Sequence, residues 1–261
     1  MNDADAFRPP LDRDAVAEVT PYWRVEVVDE TESTNFDLAA RARADEPAGL
    51  VLVAEHQTAG RGRLDRTWET PPRAALTFSV LIRPRVEAEQ WPWLPLLAGL
   101  ATAKAVRQVT GLATVGLKWP NDLMVEGLKA GGILLERVES AQGPAAVIGI
   151  GINVTTGQHE LPVPTATSLA LAGATPDRRQ LLIAVLYELA QAMGQWAGDP
   201  DWLRTAYSAE CLTIGQEVVV SMPDGSTITG KATGIDADGR LEVETDNGPV
   251  AVGAGDVVHV R

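Results

Sequence analysis

The chain has 261 residues, 45% of them hydrophobic, and a formal charge of −13. That length accommodates one medium domain, or a catalytic body with a small appendage, and the apolar content suffices for a real core. The negative charge argues against general attraction to DNA, RNA or an anionic membrane, so any anion must be met by a local basic cluster.

No apolar run reaches the roughly 18 to 20 residues that span a bilayer. The N-terminal stretch "MNDADAFRPPLDRDAV" is acidic and lacks a hydrophobic signal core, which predicts a cytoplasmic protein. The lone Cys211 cannot pair within the chain, in keeping with a reducing compartment.

In chain order, the first dozen residues read as loose. Ser33 or Thr34 can cap a short helix carrying Phe36, Leu38 and Ala39, because a side-chain oxygen there satisfies a free backbone donor. "GLVLVAEH" and "AALTFSVLIRP" read as strands on either side of a loop, "HQTAGRGRLDRTW" (56–68). "LPLLAGLATAKAVRQVTG" reads as a helix ended by Gly111, and "VGLKWPNDLMV", "KAGGILLERV" and "AAVIGIGINV" as three closely spaced strands. A long helix follows from Asp177, its cap, with Leu182, Val185, Leu186, Leu189, Ala190 and Met193 on one stripe. From about Leu212 the pattern changes to short strands, "EVVVSM", "STITGKATGID", "GRLEVET" and "VVHVR". Turns at Pro223-Asp224-Gly225, Asp238-Gly239 and Asn247-Gly248 divide this tail. The expected organisation is an α+β body over residues 1–211 and a small β-barrel over 212–261.

Several chemistries are disfavoured. His56, His159 and His259 lie far apart without cysteine partners, so no metal site is expected. "GRGRLDRT" lacks the terminal Gly-Lys-Ser/Thr of a phosphate loop, and "GIGIN" is too short for a dinucleotide fingerprint. Gly149 and Gly151 either permit close backbone packing or line a ligand.

The arginine-rich loop calls for a ligand. Arg61, Arg63 and Arg66 repel one another when bare, and Gly60 and Gly62 raise the entropy lost on ordering. The same glycines let backbone amides approach an anion. "KWPND" (118–122) sets Lys118 and Asp122 around a turn, and Lys129 follows beside Gly131-Gly132. A simple turn accounts for Pro120 and Asn121 but not for the flanking charges.

The segments "TESTN" (31–35), "QTAGRGR" (57–63), "KWPND" (118–122), "KAGGILLE" (129–136) and "GIGINV" (149–154), in this order, closely resemble the biotin protein ligases. The resemblance covers the chain from about Glu26. It implies a mixed-sheet catalytic domain of the class II synthetase and biotin–lipoate ligase type, followed by a C-terminal SH3-like β-barrel. It also implies activation of biotin by ATP to biotinyl-5′-adenylate and transfer to a lysine of a biotin carboxyl carrier domain. With the first motif at residue 31, an N-terminal DNA-binding domain has no room, so neither nucleic acid nor operon repression is expected. The expected state is a monomer or weak homodimer, with no membrane partner.

By position in the matched motifs, the resemblance assigns biotin to Ser33, Thr34, Asn35 and Gln57, and the carboxylate and phosphate to Arg61, Gly62, Arg63 and Lys129. It assigns the adenylate to Arg61, Arg63, Trp68, Asn121, Gly132 and Asn153. Arg63, Lys129 and Asp122 are the expected catalytic groups: planar and point charges that answer negative charge growing at phosphorus, and a carboxylate that takes the acceptor's proton. Mg²⁺ is expected to arrive with the nucleotide. Trp68 is either a cover for adenine or a core anchor. The loop is expected to be mobile when empty and to close over the adenylate, shielding it from water. Three alternatives remain: a lipoate ligase, a non-catalytic biotin or nucleotide sensor, and a repressor.

Overall fold

The computed structural model describes residues 8–17, 22–64 and 66–260. A seven-stranded mixed sheet forms the body, built from β1 (Arg24–Thr31), β2 (Leu50–Gln57), β3 (Ala75–Ile82), β4 (Val115–Lys118), β5 (Asp122–Val125), β6 (Leu128–Val138) and β7 (Ala145–Asn153). The strand order is β1-β2-β3-β7-β6-β5-β4; β1 and β2 run parallel and the remaining neighbours antiparallel.

Alternation of side chains gives the central strands two different faces. Phe78, Val80, Ile148 and Ile150 join the main core with α3 (Trp93–Thr110) and α4 (Arg178–Gly198), whereas Leu81, Val147 and Val138 pack under α2 (Thr34–Arg43). Both long helices follow their sequence signals. Gly111 ends α3 with φ 73°, a left-handed conformation that lacks a Cβ clash in glycine, and Asp177 accepts hydrogen bonds from Arg179 and Gln180 at the start of α4. On the expected stripe Leu182, Val185, Leu186 and Leu189 are buried, with Ala190 and Met193 partly buried against the same core.

The tail contains β8 (Glu217–Ser221), β9 (Thr227–Ile235), β10 (Leu241–Thr245), β11 (Gly248–Val252) and β12 (Asp256–His259), an antiparallel sheet of order β11-β10-β9-β8-β12. It is fastened to the body by two indoles: Trp93 donates to Ala237 O at 2.9 Å and Trp119 to Gly239 O at 3.1 Å.

The structure departs from the sequence reading in several places. "VGLKWPNDLMV" is not one strand but the hairpin β4–β5, because Pro120 has no amide hydrogen for a ladder. The charged edge strand β1, the Pro-containing β11 and two helices, α1 (Arg13–Ala17) and α5 (Pro200–Glu210), were not anticipated. Residues 8–12 are fastened rather than loose. Arg8 pairs with Glu160 at 2.6 Å, and buried Leu11 donates its N–H to Glu55 Oε1 at 2.5 Å. Residues 1–7 lie outside the described part.

Candidate active site

A cavity of about 110 Å³ opens on the α2 face of the sheet. Register explains how distant segments meet there. Thr77, Gly151, Gly132 and Asp122 are successive partners across β3, β7, β6 and β5, and Ser79, Gly149 and Leu134 form the next row. Facing partners project to the same side of a sheet. Two rows centred on glycine therefore make a depressed floor with polar walls.

The floor accepts two side chains that any Cβ would displace. A Cβ on Gly149 would stand 2.3 Å from Asn35 Oδ1, and one on Gly151 2.6 Å from the Trp68 ring. Close packing accounts for both glycines, and both also belong to the cavity lining.

One wall is a buried polar chain. Gln57 Oε1 accepts from Thr34 N at 2.8 Å and Thr34 Oγ1 at 3.0 Å, Thr34 Oγ1 lies 2.7 Å from Ser79 Oγ, and Ser79 donates to Asn35 Oδ1 at 2.6 Å. Two hydroxyl hydrogens thus have three short contacts to serve. Asn35 completes the chain by donating to Glu136 Oε1 at 3.0 Å. Of the two expected caps, Ser33 accepts from Phe36 N, which leaves Thr34 to face the cavity.

The arginine segment covers this floor as a short hairpin, with Gly62 N donating to Arg66 O at 2.7 Å and Arg61 paired to Thr67. Arg61 lies 5.2 Å above the Phe36 ring. Arg63 donates to Asn121 Oδ1 at 3.2 Å and to Gly255 O at 3.3 Å, while Arg66 forms a two-point ion pair with Asp256 of β12. Burial draws the Arg63 guanidinium below its ordinary basicity, opposed by the charges of Asp122 and Asp256. At Asp256 burial acts upward, but the hydrogen bond and charge of Arg66, with Lys118 and Arg63 behind them, carry the carboxyl below its usual value.

At the β5–β6 side, Lys129 Nζ rests 2.6 Å from Asp122 Oδ1, and Lys118 Nζ 3.6 Å from Asp122 Oδ2. Asn121 clamps Ile133, accepting from its N–H at 2.9 Å through the main chain and donating to its carbonyl at 3.0 Å through the side chain. Trp68 lines the cavity with a buried Nε1 that has no hydrogen-bond partner among the described residues. An indole N–H without a partner is costly inside a protein, so a ligand acceptor is the natural complement.

Twelve of the thirteen expected site residues line this one cavity: Ser33, Thr34, Asn35, Gln57, Arg61, Gly62, Arg63, Trp68, Asn121, Asp122, Lys129 and Gly132, joined by Gly151 of the "GIGINV" segment. Asn153 stands apart, outside the lining, its buried amide donating to Thr167 O at 2.9 Å. Thr77, Ser79 and Asp256 were missed. The first two had a signal, polar residues at alternate positions in the otherwise apolar "AALTFSVLI"; Asp256 had none.

Residues 25–153 match the Biotin/lipoate A/B protein ligase family, and residues 213–260 match the Biotin protein ligase C terminal domain. The biotin--[acetyl-CoA-carboxylase] ligase of Mycobacterium tuberculosis is 43% identical over the full length of both chains. The bifunctional ligase/repressor of Bacillus subtilis is 32% identical over 89% of this chain and 72% of its own. The fold is similar to that of the Aquifex aeolicus biotin protein ligase in complex with biotin and ATP, with a TM-score of 0.77, 30% identity and coverage of 91% of this chain and 98% of that one. A polar, glycine-floored cavity under an arginine hairpin, the five ordered motifs and a full-length relative converge: the chain belongs to the biotin protein ligase family.

Proposed function

We propose that the chain joins biotin to a lysine of a biotin carboxyl carrier domain in two steps at this cavity, using ATP. The observation that carries the reading is the Lys129–Asp122 pair set under the arginine hairpin, beside the Gln57–Thr34–Ser79–Asn35 chain. In this reading residues 1–211 carry both substrates, and 212–261 hold the hairpin through Gly255 and Asp256.

The buried amide and hydroxyl chain suits biotin's ureido ring, which presents both donors and a carbonyl. Biotin's carboxylate oxygen attacks the α-phosphorus of ATP and pyrophosphate leaves with the bonding electrons. Negative charge concentrates at phosphorus in that step. Arg61 and Arg63 complement it with permanently charged planar donors, each charge-assisted hydrogen bond contributing about 1.5–3 kcal/mol. Lys129 exchanges Asp122 for the carboxylate and phosphate oxygens, a move that its partial exposure of 37% permits. Trp68, Asn121 and Gly132 take the adenylate side, and Asn153 acts there only through the backbone of Thr167 that it holds. Mg²⁺ enters as MgATP, carried mainly by phosphate oxygens and water; among the described residues no group of three or more His, Cys, Asp and Glu is placed to cage it.

For transfer, an acceptor lysine with a pKa of about 10.4 is neutral in only about one part in a thousand near pH 7.4, a barrier of roughly 4 kcal/mol. Asp122, freed from Lys129, accepts its proton. The proposed location is the cytoplasm, where ATP is supplied; among the described residues no helix is long and apolar enough to cross a membrane. A monomer or weak homodimer that binds no nucleic acid suffices for this chemistry.

The test is pyrophosphate release from MgATP in the presence of biotin or of lipoate. Release with biotin alone is expected. Release with lipoate alone would make the chain a lipoate ligase, and binding without release would make it a sensor.

A further inference from the structure

A second recess, of about 150 Å³, lies behind the partition that Arg63 and Asn121 make at the edge of the main cavity. Its far walls are hydrocarbon: Pro92, Pro95 and Leu96 at the start of α3, and Leu135 on β6. Gly253 of the tail closes one side. Arg63, Asn121, Ile133 and Leu134 line both spaces. The connection follows from the ladder: β5 accompanies β6 only to Gly132, and beyond it the Asn121 clamp on Ile133 is what separates the two faces of the sheet.

The lining of the recess, among the described residues, holds no carboxylate and a single cation, Arg63. Apolar walls and a neighbouring positive charge both disfavour an ammonium ion and favour the neutral amine. Such a space is poorly suited to a triphosphate, which needs several donors. It is well suited to an aliphatic stem ending in nitrogen.

We propose that this recess is the entrance for the acceptor lysine. The inference rests on the ligase reading above and adds the route. The lysine methylenes lie against Pro95, Leu96 and Leu135, and the nitrogen passes Arg63 to the activated carboxyl. There the neutral nitrogen attacks the acyl carbon; a C–N bond forms, the C–O bond to phosphate breaks, and AMP leaves with the electron pair. The proton shed by nitrogen goes to Asp122 and then to water. Other charges face this route without entering it. Asp122, Asp256 and Arg66 act on Arg63 from the cavity side. Arg240, beside Gly253, is paired with Asp236 and Asp238, and Arg137 with Glu139.

Two variants of the full chain test the assignment. A Cβ on Gly253 would meet only the Arg240 side chain, at 3.7 Å, so Gly253→Leu narrows the recess without a backbone clash. It is expected to slow transfer to a carrier domain by about 100-fold, the loss that misplacing a reacting group by about 1 Å produces. Biotin-dependent pyrophosphate release, and reaction of the adenylate with hydroxylamine, are expected to be unchanged. Leu135→Glu puts a carboxylate on the wall, which stabilises the ammonium form, so the acid limb of the transfer rate is expected to move to higher pH; a structural defect would instead lower the rate at every pH. Wild-type transfer rates and pH profile in both variants would overturn the assignment. So would a parallel fall in pyrophosphate release, which would put the nucleotide in the recess. Absence of biotin-dependent release from the unaltered chain would defeat the ligase reading itself.

Discussion

The floor and the roof of the cavity are held by different forces. The floor comes from in-register strands and fully buried polar groups; Ser33, Thr34, Asn35 and Ser79 are all at most 3% exposed. The roof is a single hairpin whose tip, Leu64, is 54% exposed, and whose Arg66–Asp256 latch joins side chains 59% and 35% exposed. Exposed pairs of this kind contribute only about 0–1 kcal/mol, whereas breaking a buried polar chain costs about 1–3 kcal/mol per orphaned group. Folding therefore sets the floor, and the roof is left light enough for a bound anion to decide its position.

The largest expected effect falls where floor and roof meet. Lys129→Ala is expected to lower biotin-dependent pyrophosphate release on the order of 10²–10³-fold. The fold should survive, since the lysine is 37% exposed. Near-normal release from a folded variant would remove Lys129 from the chemistry.

Arg63→Gly tests the roof alone. It removes a charge-assisted clamp and adds a flexible residue, so retention of the adenylate is expected to fall about ten- to hundredfold while adenylate still forms, more slowly. Escaped adenylate would label exposed lysines of an added bystander protein such as albumin. Equal bystander labelling by the original and altered chains, at matched adenylate production, would mean that the roof does not retain the intermediate.

Gly149→Ala tests the floor alone. Its Cβ would stand 2.3 Å from Asn35 Oδ1, so overpacking of about 1–3 kcal/mol is expected, seen as a lower denaturation midpoint and weaker biotin binding. Unchanged biotin affinity would show that the Asn35 position does not shape that part of the site.

The smallest effects are expected at the latch and in its pH dependence. Asp256→Asn should leave global stability almost unchanged, by about 0–1 kcal/mol, yet raise the protease sensitivity of the hairpin. The Asp256 carboxyl sits below its ordinary value of 3.8, so the folded chain holds fewer protons there than the unfolded one. Its contribution is whole above that value and is lost as pH falls through the lower folded one. His259 behaves with the same sign. Burial first, then Lys118, pulls its imidazole below 6.5, so its contribution is whole above 6.5 and declines as pH falls. The fall in Tm on going from about pH 7 to about pH 5.5 should be shallower in His259→Gln, and an identical slope would remove the histidine from the tail's acid response.

The same division describes what was legible in the sequence. The helices α3 and α4 were readable because a long apolar stripe and a cap at one end are local signals. The strand β1 was not, because as a sheet edge it carries Arg24, Glu26, Asp29 and Glu30 in place of an apolar run. At the site, the motif residues were legible one segment at a time, but what joins them is register. Thr77 and Ser79 become floor residues only by facing Gly151 and Gly149. Asp256 reaches Arg66 across 190 residues of chain, a pairing that no local pattern carries.

The most direct test of the central claim is intact mass measurement of a biotin carboxyl carrier domain after incubation with this chain, biotin and MgATP. One added biotin per carrier, abolished by replacing the acceptor lysine or omitting ATP, is the expected result. An unchanged carrier mass while pyrophosphate is released would contradict ligation, and unchanged mass without release would contradict catalysis at this cavity.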